Sequence, residues 1–272
     1  MLREQEIIQL TEKTLKRQGL NPKDFRNEFQ YQQAIRREEG YKFSLSDYAS
    51  GLIFSQLSAQ RSWSQINELS SEIENIFLNF DFDKLKELAK KPIVLVNKLK
   101  KIKAGNIMIK SQMNNLAFNL NKLEKIYDRI ENDCPRKMTF EQCKLYSKKY
   151  ISSLSDYNSP LKLKYIGHAL AAEFLKNIGI PVVKVDVHII RILGKERLEI
   201  LSFKSDKPTK NEISIAIDEF CDFVKRNSSH VADVIYFDAL FWSLGARKYG
   251  EICTAKPKCN LCLLKYLCNF SK

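Results

Sequence analysis

The feature that most constrains this chain is a helix stop followed at once by a new helix start, within residues 179–186. Apolar residues recur at helical spacing over residues 169–178, and Gly179 and Pro181 end that pattern, because glycine favours a helix C-terminus and proline cannot continue a helix. A short extended run of valines follows, and a second amphipathic segment begins directly after Asp186. An aspartate there is a typical helix N-cap, so its carboxylate is held in one direction and can face a cleft. The simpler alternative is that Asp186 only caps the second helix.

The net charge indicates a polyanionic partner. The 272 residues carry a formal net charge of +13, and the pI is about 9.3. Nucleic acid is the first candidate, although ribosomal contacts or an anionic membrane surface would suit the same charge. No apolar run reaches the roughly 18 residues that a membrane span requires. The N-terminus has no signal-peptide core, so we expect an intracellular, cytoplasmic monomer with no membrane partner.

Two capping boxes mark helix starts in a chain whose apolar residues are mostly at helical spacing. Ser44 with Asp47, and Thr209 with Glu212, have the separation at which each side chain bonds the other residue's backbone N–H. Helical spacing also runs through residues 1–43, 64–102, 113–150 and 187–250. We therefore predict an all-α fold.

The segment after the first capping box contains two further features. Its helical pattern ends in Leu-Ser-Ala-Gln at residues 57–60, which places Gln60 at the end of a helix. Ser55 and Gln56 are polar residues within an otherwise largely apolar helix. Either could contact a ligand, and exposure on the helix surface is the alternative.

Four of the seven cysteines lie within the last 20 residues and form a ligand-like cluster. Cys253, Cys259, Cys262 and Cys268 have the spacing C-x5-C-x2-C-x5-C, with Lys256 and Lys258 in the first interval. Four thiolates at such intervals suit either a tetrahedral zinc site or an iron–sulfur cluster. The spacing alone does not choose between them.

These motifs together resemble the endonuclease III-like DNA glycosylases of the helix-hairpin-helix "GPD" superfamily. The strongest part is Gly-Ile-Pro-x-x-x-Val-Asp-x-His-x-x-Arg at residues 179–191, and the resemblance covers most of residues 44–268. It implies a two-lobed, all-α helix-hairpin-helix glycosylase fold. Residues 45–180 would form a six-helix barrel lobe. Residues 1–44 and 181–272 would form a discontinuous helical lobe with the four-cysteine cluster loop at 253–268.

The resemblance also implies roles for individual residues. Asp186 matches the aspartate that assists cleavage of the bond between a damaged base and its sugar. Gln60 matches the glutamine that fills the gap left by a flipped nucleotide. His188 follows the family pattern and would be structural or close to a phosphate. The cysteines would hold a 4Fe-4S cluster, preferred over zinc although the first interval is one residue shorter than the family's, and would pin Lys256 and Lys258 against DNA.

Two departures from the family pattern matter for function. In the hairpin, only Gly167 matches the family's Leu-Pro-Gly-Val-Gly, so Lys162 or Lys164 could supply phosphate contacts instead. The position of the lysine nucleophile found in bifunctional members falls on His168 or Ala169, depending on the alignment. His168 could be a polar active-site residue, a phosphate contact or a structural histidine.

The expected function is that of a base-excision-repair DNA glycosylase, a hydrolase that removes a damaged or mispaired base flipped from double-stranded DNA. The missing lysine predicts a monofunctional enzyme in which water, guided by Asp186, is the nucleophile. One alternative is a bifunctional glycosylase and AP lyase that uses a displaced lysine, such as Lys162 or Lys164. Others are a non-catalytic binder of distorted DNA on the same scaffold and a zinc-bearing nucleic-acid module.

Overall fold

The computed structural model describes residues 2–61, 63–203 and 208–271, and that part of the chain contains helices and no β-strand. The prediction of an all-α fold is therefore confirmed. Short 3-10 helices lie in some of the segments that connect the α-helices and in the segment after the last of them. The α-helices are α1 (Leu2–Arg17), α2 (Phe29–Glu38), α3 (Leu45–Leu57), α4 (Trp63–Glu68), α5 (Ser70–Ile76), α6 (Phe82–Ala89), α7 (Pro92–Lys101), α8 (Ile109–Asn114), α9 (Leu116–Asp133), α10 (Phe140–Ser155), α11 (His168–Asn177), α12 (Val187–Leu193), α13 (Lys210–Asn227) and α14 (Asp233–Ser243).

Both predicted capping boxes are present. The backbone N–H of Ser44 donates to the Asp47 carboxylate at 2.7 Å, and that of Asp47 donates to Ser44 Oγ at 3.2 Å. At the start of α13 the N–H of Thr209 donates to Glu212 at 2.7 Å, and the reciprocal bond is 3.2 Å long. Each box satisfies two N–H groups that a helix start would otherwise leave unpaired.

Helix α11 lies at the centre of the packing. It contacts α3, α10 and α2, and α3 in turn packs against α9. The crossing of α3 and α11 is close because Gly51 has no side chain: a Cβ there would lie 3.2 Å from both Asn177 Cβ and Ile178 Cγ2. Tyr48 and Phe174 are fully buried beside this crossing, and their rings meet edge to face.

The first helices pack against the last third of the chain. Helices α1 and α2 contact α14, and α1 also contacts α13. Arg26 forms an ion pair with the nearly buried Asp233 at 3.0 Å, and Thr14 Oγ1 accepts a hydrogen bond from the N–H of Leu263. The N-terminal segment is thereby fixed to the region that contains the four clustered cysteines. None of the described helices is both long enough and apolar enough to cross a membrane.

The turn between α11 and α12 has the predicted helix stop and start. Gly179 has φ of 77°, and a Cβ there would lie only 2.4 Å from the carbonyl oxygen of Gln33, so both the backbone conformation and the space require glycine. Val182, Val183 and Val185 follow without regular secondary structure and are buried, and a hydrogen bond of 2.7 Å from the N–H of Asp186 to the carbonyl of Lys184 closes a tight turn at Val185. Helix α12 then begins at its N-cap, Asp186.

Candidate functional site

Asp186 caps α12 through one of its two carboxylate oxygens. Oδ1 accepts hydrogen bonds from the N–H groups of His188 at 2.9 Å and Ile189 at 3.2 Å. Within the described part of the chain, Oδ2 makes no hydrogen bond. The predicted N-cap is confirmed, and the cap fixes the direction of a half-buried carboxylate that lines a cleft of about 840 Å³.

This cleft brings several of the predicted site residues together. Gln60 lines it from the turn that follows α3, where its backbone is left-handed with φ of 58°. His188 lines it from α12, next to Asp186. Thr254 lines it at the edge of the cysteine-containing loop. Asp186 and Gln60 are 126 positions apart in the sequence yet share one concave surface.

A second pocket adjoins the cleft, and we call it the inner pocket. It shares Ser58, Arg61, Lys184 and Trp242 with the cleft lining. Aromatic rings and charged groups line the rest of it, namely Trp63, Tyr249, Glu28, Glu173, Lys176 and Asp238. This combination of flat apolar surfaces with a few polar groups resembles the lining of small-ligand sites, but the volume of about 60 Å³ is below the roughly 300–1,000 Å³ of such sites.

The charged groups of the inner pocket form a continuous buried network. Lys176 Nζ lies 2.7 Å from Asp238 Oδ2, and Lys184 Nζ lies 3.0 Å from Glu173 Oε2. Burial opposes the charge of Glu173, but the nearby Lys184 and Lys176 ammonium groups hold the pKa of this carboxyl well below its usual value. Gln30, from α2, donates to the other oxygen of Glu173 at 2.7 Å. The ionised groups are therefore paired, as buried charges must be.

Glu28 differs from Glu173. Burial raises the pKa of Glu28 to about 7, with the Lys176 charge opposing and the Glu173 charge adding to that effect. Its carboxyl group therefore changes protonation near neutral pH. It can donate a hydrogen bond when protonated and accept one when ionised.

His188 is held between aromatic and backbone groups at the cleft wall. Its ring meets Trp242 edge to face at 6.0 Å, and a Cβ added to Gly245 would lie 2.9 Å from His188 Nδ1. Nδ1 is buried with no partner among the described residues. Burial lowers the pKa of His188, with the Asp186 charge opposing, which favours a neutral ring.

Three predicted candidates lie away from the cleft. Ser55 is fully buried, and its hydroxyl donates to the carbonyl of Leu52 within the helix. Gln56 is also fully buried, and both of its side-chain polar atoms lack a partner in the described part of the chain. His168 Nε2 lies 3.0 Å from the carbonyl of Val185, and burial lowers its pKa. The His168 ring lines a separate pocket of about 280 Å³ between α10 and α13.

The hairpin before α11 keeps a tight turn despite its altered sequence. Tyr165 has φ of 60°, and the buried Asn119 bonds both the N–H and the carbonyl of Lys164, at 2.8 and 3.0 Å. Lys162 donates to the carbonyl of Ile166 within the same turn. Gly167 is the exposed N-cap of α11. Lys164 is exposed and accessible to a phosphate, whereas the Lys162 ammonium also supports the turn.

The four C-terminal cysteines line one small cavity. Ile252 and Phe270 cover it, and the nearly buried Arg197 donates from Nη1 to Cys253 Sγ at 2.6 Å. Lys256 and Lys258 are exposed on the same loop. Among the described residues, no group of three or more histidine, cysteine, aspartate or glutamate side chains is placed to bind a single metal ion. The four thiols line one mainly apolar cavity, and four cysteine thiolates are the donor set that iron–sulfur clusters use.

The chain matches no protein family, no curated protein and no solved structure. Its function must therefore be inferred from the site itself. The sequence interpretation missed the inner pocket, including Glu173, Lys176 and Asp238. A usable signal existed, since these charged residues occupy core-facing positions in helices whose neighbouring residues are apolar.

Proposed function

We propose that this protein is a DNA glycosylase that removes a flipped base from double-stranded DNA. The observation that carries the proposal is the shared cleft. Asp186 and Gln60 both line it, and it opens into an inner pocket with indole rings and paired charges. Base excision requires three parts. These are a carboxylate that assists the chemical step, an amide that fills the gap in the duplex and a pocket that receives the extruded base.

The lining of the inner pocket carries groups that an extruded base can use, but its volume is about 60 Å³, so the lining must move apart to admit a base. Trp63 and Trp242 offer flat surfaces on which a planar ring can stack, and base–aromatic stacking contributes about 1–3 kcal/mol. Glu28, Lys184 and Ser58 supply hydrogen-bond donors and acceptors for the edge of the base. A normal, stacked base must be unpaired before it can reach these groups, and this step favours bases that are damaged or mispaired.

Asp186 is the group we assign to the chemical step. As the bond between sugar C1′ and the base nitrogen breaks, its electron pair leaves with the base and positive charge develops on the sugar. The Asp186 carboxylate stabilises that charge and accepts a proton from the attacking water, whose oxygen forms the new bond to C1′. Its hydrogen bonds to the start of α12 hold the carboxylate in place during this step.

The lysines of the site favour a monofunctional enzyme. Ala169, one of the two positions matching the family's nucleophile, lines the cleft, whereas neither Lys162 nor Lys164 does. Lys184 lines the cleft too. Burial opposes its charge, but Glu173 and Asp186 hold its pKa above the usual value, so its ammonium group is a poor nucleophile. Borohydride trapping of a protein–DNA adduct that requires Lys184 would instead support the lyase alternative.

The proposal includes the finer architecture and the cofactor. Residues 45–180 would form the barrel lobe, and the N-terminal segment with residues 181–272 the second lobe. The contacts of α1 with α13 and α14 support this division. Cys253, Cys259, Cys262 and Cys268 would hold a 4Fe-4S cluster. The bound cluster would have a structural role, because it would fix the loop that presents Lys256 and Lys258 beside the cleft.

The proposal is tested with labelled duplexes that each contain one oxidised, deaminated, alkylated or mispaired base. After incubation with the protein, half of each sample is heated in alkali and half is not. Strand breaks that appear only after alkali identify a monofunctional glycosylase and its substrate. Bound but intact duplexes would instead support the non-catalytic DNA-binding alternative, in which Asp186 is only a helix cap.

A further inference from the structure

Lys184 lies where the cleft meets the inner pocket, and it lines both of them. It precedes Asp186 by two residues, and the tight turn between the two residues is centred on Val185. The Val185 side chain is buried in the core, whereas Lys184 and Asp186 both line the cleft. One short segment therefore holds a cationic side chain and the carboxylate assigned to the chemical step on the same wall.

The Lys184 ammonium group is charged and has donors to spare. Its Nζ lies 3.0 Å from Glu173 Oε2. Burial opposes the charge of Lys184, but the Glu173 and Asp186 charges hold its pKa above the ordinary value. An ammonium group has three N–H donors, and Glu173 is the only partner of this one among the residues that the structure describes. The other donors are available to a ligand in the cleft.

Base excision creates charge at two places. Positive charge develops on the sugar, and the Asp186 carboxylate stabilises it. The electron pair of the broken bond moves onto the base, where it spreads over the ring and the carbonyl oxygens. A base that is uncharged in DNA therefore leaves as an anion. A fixed cationic donor beside the base lowers the free energy of that anion, whereas the Asp186 carboxylate repels it.

We propose that Lys184 stabilises the departing base, and that the enzyme removes bases that are uncharged in DNA rather than cationic, alkylated ones. This inference rests on the proposed glycosylase function. Lys184 Nζ donates a hydrogen bond to the base as the bond to C1′ breaks, and the proton stays on the nitrogen. The attacking water gives its proton to Asp186, and the released base anion takes up a proton from solvent. A base that is already cationic leaves as a neutral molecule, so it gains nothing from Lys184 and is repelled by it.

The charge of Lys184 can be removed without leaving Glu173 unpaired. Lys176 Nζ lies 3.6 Å from the same oxygen of Glu173, and Gln30 donates to the other oxygen at 2.7 Å. The buried carboxylate therefore keeps a cation and a hydrogen-bond donor when Lys184 is replaced. Substitutions at Lys184 should for this reason affect the chemical step more than the fold.

The test compares full-length wild type, Lys184→Met and Lys184→Arg on the substrate found in the duplex panel. The matched control is Lys148→Met, because Lys148 is also half-buried and paired with a carboxylate, Asp218 at 2.7 Å, but lines neither the cleft nor the inner pocket. We expect Lys184→Met to slow single-turnover excision about a hundredfold. Lys184→Arg keeps the charge and should retain most of the rate, and Lys148→Met should match wild type. Affinity for a duplex with a tetrahydrofuran abasic analogue should stay within about threefold of wild type for all variants.

The outcomes separate this role from the proposed function. If Lys184→Met excises at the wild-type rate, or if Lys184→Arg is as slow as Lys184→Met, the ammonium charge does not assist departure of the base. Removal of cationic, alkylated bases alone by wild type would also overturn the role of Lys184, while the glycosylase function stands. If wild type removes no base from any duplex, the proposed function fails, and the role of Lys184 fails with it.

Melting temperatures show whether the substitutions leave the fold intact. We expect equal values for wild type, Lys184→Met, Lys184→Arg and Lys148→Met. If Lys184→Met melts at a lower temperature, Lys184→Gln takes its place in the comparison, because its amide is uncharged and can still donate to Glu173.

Discussion

Asp238 Oδ1 accepts a hydrogen bond from the backbone N–H of Lys184 at 3.2 Å, two residues before Asp186. Its other oxygen, Oδ2, pairs with the buried Lys176 ammonium at 2.7 Å. Asp238 thus joins α14 and α11 to the segment that leads into the N-cap of α12. The buried charges of the inner pocket therefore support the position of Asp186 as well as lining the pocket.

Removing this carboxylate should be strongly destabilising. Asp238→Ala leaves the Lys176 ammonium buried without its closest partner, and breaking a buried pair in this way costs about 3–5 kcal/mol of unfolding free energy. Urea denaturation measures the loss. The double variant Asp238→Ala with Lys176→Met also removes the unpaired ammonium charge, so it should recover much of the lost unfolding free energy. If the unfolding free energy of Asp238→Ala lies within about 1 kcal/mol of the wild-type value, the charged network does not stabilise the fold.

Glu28 should make the stability of the protein depend on pH. Its pKa is about 7 in the folded state and near the ordinary value of 4.5 in the unfolded chain, so the folded state binds more protons between these values. The free energy of unfolding should fall as pH rises through this range. Urea midpoints at about pH 5 and about pH 8 should therefore differ more for wild type than for Glu28→Gln. If the difference between the two urea midpoints is the same in wild type and Glu28→Gln, the group with the raised pKa is not Glu28.

Gly167, the glycine of the hairpin, should contribute to DNA affinity but not to the stability of the fold. A Cβ at Gly167 would have no atom within 4 Å, and its φ of −91° is open to any residue. Gly167→Ala should keep the wild-type melting temperature but weaken duplex binding by about 1 kcal/mol, if a phosphate approaches its backbone N–H. Gly179→Ala is the contrasting variant, since it should destabilise the fold. Unchanged DNA affinity for Gly167→Ala would exclude a close phosphate contact at the hairpin.

The C-terminal cysteines predict an iron–sulfur protein. Purified protein should contain about four irons and four sulfides per chain. Cys259→Ala should lose them, whereas Cys134→Ala, which removes a buried thiol outside the cavity, should retain them. Elemental analysis and acid-labile sulfide measure both. Stoichiometric zinc without sulfide would support the zinc alternative.

The sequence was most informative where local chemistry decides the structure. The stop at Gly179, the cap at Asp186 and the capping boxes depend on neighbouring residues, and each is present. The inner pocket depends on side chains from α2, α11 and α14 that meet only through tertiary packing. For the same reason the full burial of Gln56 does not follow from the sequence: helical periodicity identifies a polar residue on a face of the helix but not what covers that face.

The most direct test of the central claim is the single-turnover rate of base excision by wild type and Asp186→Asn, on the substrate found in the duplex panel. Asparagine keeps a side-chain oxygen that can accept from the N–H groups of His188 and Ile189, so the cap, the fold and DNA binding should persist. Loss of the negative charge should slow excision by at least about a hundredfold. Excision at the wild-type rate by Asp186→Asn would contradict the account and leave Asp186 as a helix cap alone.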